Sequence, residues 1–158
     1  MEIIVTTGTG EGPSPLAAFD AALFDAGIAN YNLVYLSSII PPRSIVRFDK
    51  YIASPNEYGH RLYVVMSYFQ TQISGEVACA GLGWVQDEYD DGRGIFVEIN
   101  GIGREDVENK IHITLKPMID RRKIRYNVIM SKISEITCQE RPVCALVAAI
   151  YRSYGWEE

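Results

Sequence analysis

The chain has 158 residues, 47% of them hydrophobic and 22% charged. That is the size of one domain, able to bury about 70% of its extended-chain surface without a disulfide or metal staple, and the composition excludes disorder and collagen-like repetition. With 15 Lys and Arg against 20 Asp and Glu, the net charge of -5 disfavours a nucleic-acid backbone and suits a cationic or neutral partner better.

Glu2 to Val5 reads as a β-branched strand that stops at Thr6-Thr7-Gly8-Thr9-Gly10-Glu11-Gly12, a flexible glycine-rich loop. Ser14 fits a helix N-cap and Pro15 the first helical position, where a missing N–H costs little. Leu16, Phe19, Leu23 and Phe24 recur at the spacing of an apolar helical stripe, and Gly27 stands where a C-terminal cap belongs. Asn32 to Leu36 reads as a strand running into Ser37-Ser38-Ile39-Ile40-Pro41-Pro42, where the prolines stop it. Arg43 to His60 reads as a long connection with one short strand. Leu62 to Phe69 and Glu76 to Gln86 follow as strands, and Ala78, Ala80, Gly81 and Gly83 in the second imply close approach by another layer or subunit.

Asp90-Asp91-Gly92 is a hairpin turn signal that returns the chain through Ile95 to Ile99. Val107, Ile111, Leu115, Met118 and Ile119 mark a second helix, with Glu105 and Asp106 in its first turn and Arg121, Arg122 and Lys123 past its last, the polarity that complements the helix dipole. Ile124, Tyr126, Val128 and Met130 alternate as in a half-buried strand, and Val143 to Tyr151 makes a final alanine-rich strand. Two helices and six or more strands, mostly joined by short hairpins, give an α+β fold: a layered αββα-type sandwich of mainly antiparallel sheets, one domain over residues 1–158.

Cys79, Cys138 and Cys144 leave an odd thiol and lie in apolar stretches, which fits core thiols in a reducing cytoplasm. No apolar run reaches the roughly 18 residues of a membrane span, and no basic region followed by an apolar block opens the chain, so a soluble, unexported protein is expected. The two histidines, His60 and His112, are far apart, and the cysteines lack metal-ligand spacing, so no metal is expected. A dinucleotide loop starting at Gly8 would need glycine where Pro13 stands, and no Gly-Lys-Ser/Thr follows. The loop reads instead as a tight connection or a lid.

Ser37-Ser38 taken alone is a turn or a cap. Its company is Ser14-Pro15-Leu16-Ala17-Ala18-Phe19-Asp20-Ala21-Ala22-Leu23 upstream, Asn30-Tyr31-Asn32-Leu33 at the strand entry, and Ile39-Ile40-Pro41-Pro42 behind. With Gly94-Ile95-Phe96-Val97-Glu98-Ile99-Asn100-Gly101 and the alanine-rich last strand, this combination resembles the pyruvoyl-dependent arginine decarboxylases. The resemblance is dense over about the first quarter of the chain and weak over residues 43–90.

The resemblance implies that the Ser38 hydroxyl attacks the Ser37 carbonyl, that the resulting ester splits by β-elimination, and that residues 1–37 and 38–158 become separate chains. Such an attack on an inert peptide bond needs a strained or tightly held geometry and donors for the developing oxyanion. Position 38 would become a covalent pyruvoyl group, an electrophile that forms a Schiff base with the substrate amine, and no external cofactor would be needed. By the same resemblance Glu98 is the proton donor of decarboxylation, needed for turnover rather than for cleavage, and Asn32 serves self-cleavage near the Ser37 carbonyl. Desolvation by Ile95, Phe96, Val97 and Ile99 would favour a protonated Glu98. Asp20 falls among substrate-binding residues, as a planar partner for a guanidinium. The implied activity is conversion of L-arginine to agmatine and carbon dioxide in a trimer or dimer of trimers with sites between subunits. The same chemistry on another amino acid, or an unprocessed oligomeric binding or structural relative, are the alternatives.

Overall fold

A computed structural model describes residues 1–157. In chain order the elements are β1 (Glu2–Glu11), α1 (Pro15–Asp25), β2 (Asn32–Tyr35), β3 (Ile39–Ile40), β4 (Ile45–Phe48), a single 3-10 turn (Pro55–Glu57), β5 (Arg61–Thr71), β6 (Val77–Gln86), β7 (Gly94–Ile102), α2 (Arg104–Arg122), β8 (Met130–Thr137) and β9 (Val143–Tyr154). The strands form two sheets, in the orders β2-β5-β9-β1-β4 and β3-β7-β6-β8. The four-stranded sheet is antiparallel throughout, whereas β1–β4 and β2–β5 in the five-stranded sheet are parallel.

Three apolar layers account for the stacking. Between α1 and the five-stranded sheet lie Ala18, Ala22, Leu62, Val64, Leu146 and Ala148. Between the two sheets lie Ile3, Val5, Val65, Leu82, Phe96 and Val147. Beneath α2 lie Ile95, Val97, Val107, Ile111 and Leu115. The αββα sandwich expected from the sequence is the observed architecture. β9 is its central strand, buried on both faces, which explains a run of apolar residues without alternation. Ser67 Oγ donates to the Ile99 carbonyl at 2.7 Å and Ser134 Oγ to the Gly8 carbonyl at 3.0 Å, so two buried hydroxyls tie sheet to sheet.

The glycine-rich stretch is not a loop. β1 continues through Glu11 and stays paired to β9 from Ile4↔Ile150 to Glu11↔Val143. Its glycines admit α1: a Cβ on Gly8 would stand 2.1 Å from the Ala22 carbonyl oxygen, and one on Gly10 2.4 Å from that of Ala18. The same close approach changes the helix face. Ser14 caps α1 by accepting the Ala17 N–H, and Gly27 follows at φ +82°, as expected. The buried contacts, however, are Ala18, Ala22 and Leu23, while Leu16 and Phe24 of the expected stripe are 73% and 60% exposed. In β6, Gly81 and Gly83 make room for α2; a Cβ on Gly83 would lie 2.2 Å from Ile111 Cγ2.

Two further expectations fail. Among the described residues only β6 and β7 form a hairpin of consecutive, hydrogen-bonded strands; the connections β5–β6 and β8–β9 cross between sheets. Residues 124–129 are not a strand: Ile124 is buried with α2, but Arg125 N–H and Asn127 N–H donate to the Asp87 and Glu88 carboxylates. Those side chains on the β6–β7 turn satisfy the backbone in place of a ladder, and β8 starts only at Met130.

Candidate active site

β2 belongs to one sheet and β3 to the other, so Ser37 and Ser38 lie where the chain crosses between them. Upstream, Leu36 N–H donates to the Val64 carbonyl at 2.9 Å. Downstream, the Ser38 carbonyl accepts from Phe96 N–H at 2.8 Å, Ile39 and Ile40 pair with Ile95 and Gly94, and Ile40 is fully buried. Pro41 and Pro42 end β3 after two residues. Held from both sides, Ser38 is buried and adopts φ +69°, a left-handed conformation that costs an L-residue with a Cβ roughly 1–2 kcal/mol.

The Ser38 hydroxyl donates to Glu98 Oε1 at 2.5 Å, the short end of the range for an O–H···O hydrogen bond. In β7 Glu98 stands opposite Leu82 and Phe96 opposite Trp84, which puts Glu98 on the face toward the other sheet. Strand alternation therefore corrects the expected apolar surroundings of Glu98. Ile95, Val97 and Ile99 point the other way, into the layer under α2, and only Phe96 shares its face. Glu98 is exposed within the single chain.

A residue the sequence reading missed completes the cluster. Tyr151 of β9 donates its hydroxyl to the Ile39 carbonyl at 2.8 Å and sets its ring edgewise to Phe96, with centroids 6.3 Å apart. Burial first, and the charge of Glu98 second, push its ionisation well above the usual tyrosine range, so it remains a donor. In the sequence it is only the end of an apolar run, and no local signal marks it.

The structure does not bring the other two predicted residues to this point within one chain. Asn32 opens β2, so extended strand of about 3.3 Å per residue separates it from Leu36; its Nδ2 donates to the Gly59 carbonyl at 2.8 Å. Among the described residues the Ser37 carbonyl accepts no hydrogen bond. Asp20 is exposed on α1, on the far side of the five-stranded sheet from Glu98. Its neighbour Phe19 packs on Tyr68 at 4.6 Å between ring centroids, and Tyr68, Gln70 and Asn100 line a shallow depression beside β5. Strand pairing is incomplete there: β2 covers β5 only over Arg61–Val64, and β3 covers β7 only over Gly94–Ile95. His112 is exposed on α2, and among the described residues no three His, Cys, Asp or Glu side chains converge as metal ligands.

The model of the family described as pyruvoyl-dependent arginine decarboxylase matches residues 2–155. The chain belongs to that family. Relatives carrying the same name include one from Thermococcus sibiricus, 30% identical over 96% of this chain and 94% of its own length. Another, from Methanococcus aeolicus, is 31% identical over 92% of this chain and 86% of its own. A shorter match, to the protein of Halobacterium salinarum, is 38% identical over 61% of this chain and 58% of that one. A pyruvoyl-dependent family implies a covalent pyruvoyl group, and the strained Ser38 with its hydroxyl on a carboxylate fits the formation of one at that position.

Proposed function

We propose that the chain cuts itself between Ser37 and Ser38 and then decarboxylates L-arginine to agmatine and carbon dioxide. The observation that carries the first half is the state of Ser38: a non-glycine residue at φ +69° whose hydroxyl donates to Glu98 at 2.5 Å. Attack of Oγ on the Ser37 carbonyl carbon closes a five-membered ring. Glu98 takes the hydroxyl proton, the amide nitrogen gains one as the C–N bond breaks, and Ser37 is left as an ester on the Ser38 side chain. Loss of the Ser38 α-proton then expels the Ser37 carboxylate, and water converts the dehydroalanine at position 38 into a pyruvoyl group with release of ammonia. The strain at Ser38 contributes to the first step because it is relieved once the peptide bond is gone.

Formed at position 38, a pyruvoyl group would supply an electrophilic carbonyl for the substrate's α-amino group and an electron sink for loss of carbon dioxide. Glu98, on the same face as position 38, returns the proton to the α-carbon. Asp20 pairs with the substrate guanidinium, a bidentate match between planar groups. Asp20 and Asn32 reach the Ser38–Glu98 centre in an assembly of copies, a trimer or dimer of trimers, that covers the unpaired edges of β5 and β7. Three buried free thiols suit a cytoplasmic setting, and among the described residues no helix is long and apolar enough to cross a membrane.

Denaturing electrophoresis with intact-mass measurement tests the reading. The purified protein is expected as chains 1–37 and 38–158, the larger blocked by a carbonyl, with carbon dioxide released from arginine; Ser38→Ala is expected to stay whole and inactive. A wild-type chain that remains intact with a free Ser38 would sink the proposal.

A further inference from the structure

Tyr151 lies outside the residues that sequence and family point to, yet the fold spends an irregularity on it. The β5–β9 pairing steps from Tyr63↔Arg152 directly to Val64↔Ile150, so Tyr151 is the extra residue of a β-bulge. A bulge bends its strand and re-aims the side chain it carries, and bulges are over-represented beside active sites. This one sits at the level of Val64, whose carbonyl holds Leu36 immediately before Ser37-Ser38. The re-aimed hydroxyl reaches the Ile39 carbonyl at 2.8 Å, next to the Ser38 carbonyl that Phe96 N–H holds at 2.8 Å. Two successive carbonyls are thus pinned from opposite sheets, one by backbone and one by the Tyr151 side chain. With Leu36 tied upstream, Ser38 cannot swing out of φ +69° without breaking one of these bonds.

We propose that Tyr151 is a positioning residue for self-cleavage: its hydroxyl clamps the chain just downstream of the Ser37–Ser38 bond, in the conformation that aims the Ser38 hydroxyl at Glu98. Tyr151 exchanges no proton and forms no covalent bond in the step; it raises the fraction of chains poised to react. The inference rests on the self-cleavage reading above.

The test compares the rate at which freshly made chains convert to the two fragments, followed by electrophoresis and intact mass, alongside thermal midpoints. Tyr151→Phe keeps the ring against Phe96 and deletes one hydroxyl; it is expected to cleave at least tenfold more slowly than wild type with a nearly unchanged midpoint. Val147→Ala, which loosens the same inter-sheet layer on the same strand, is expected to lower the midpoint and cleave at the wild-type rate. Cleavage of Tyr151→Phe at the wild-type rate would overturn the inference while leaving self-cleavage intact. Equal slowing in Tyr151→Phe and Val147→Ala would overturn it too, by tracing the effect to packing. A wild-type chain that never cleaves would overturn the self-cleavage reading itself, so the two failures are distinguishable.

Discussion

Among the described residues, three other than glycine have positive φ: Ser38, Arg43 and Lys123. Lys123 is the left-handed cap that closes α2, and Arg43 turns the chain after Pro41-Pro42, its N–H donating to the Asp91 carbonyl. Ser38 closes no helix, and its strain sits at the bond proposed to break. The hydroxyl-to-carboxylate contact supports a part for Glu98 in the proposed cleavage as well as in the proposed decarboxylation, against the expectation from the resemblance that cleavage does not need it. Glu98→Gln is therefore expected to fold normally and to lose about 10²-fold or more in both cleavage and carbon dioxide release, followed by fragment appearance and by labelled arginine turnover. Cleavage at the wild-type rate would confine Glu98 to the later step. Ser38 and Glu98 were both legible as residue types in a motif; their contact was not, because 60 positions separate them and only sheet pairing brings them together.

At the scale of elements, α2 and α1 obey different rules. α2 also lies over glycines, but Gly81 and Gly83 leave room for its side chains rather than its backbone, and Val107, Ile111, Leu115 and Ile119 are buried at the positions its periodicity predicts. α1 lies on glycines, so helix and strand backbones approach closely and alanines become the contact face. The apolar stripe of Leu16 and Phe24 misled for that reason. Gly10→Ala puts a Cβ 2.4 Å from the Ala18 carbonyl oxygen and the Ala22 nitrogen, backbone atoms that cannot move aside independently. Overpacking of about 2–3 kcal/mol is expected, a fall of roughly 5–10 °C in thermal midpoint. An unchanged midpoint would mean that α1 shifts freely on the sheet. Residues 124–129 misled differently, since their alternation is genuine but their backbone is satisfied by acidic side chains on the β6–β7 turn.

The whole molecule places the serine pair at a crossover between two sheets and leaves the neighbouring edges of β5 and β7 partly unpaired. Unpaired strand edges invite a second chain. Because α1 and Glu98 lie on opposite sides of the five-stranded sheet, the role proposed for Asp20 depends on assembly. Asp20→Ala is expected to raise the KM for arginine at least tenfold, with cleavage unaffected and kcat changed much less. Steady-state kinetics on the cleaved enzyme decides this, and an unchanged KM would transfer guanidinium recognition to another group. The net charge of -5 is compatible with a cationic substrate entering such a site.

By itself, the sequence determined the α+β class, the two helices, the family and the Ser37-Ser38 pair, because caps, periodicity and a dense local motif are encoded within short stretches. Tertiary structure alone decided that the glycine segment is a strand, that Ser38 is strained, that its hydroxyl meets Glu98 and that Tyr151 holds the adjoining carbonyl. The physical reason is common to all four: each depends on which backbone lies across from which, and that is set by pairing and packing between residues far apart in the chain rather than by the preferences of any one segment.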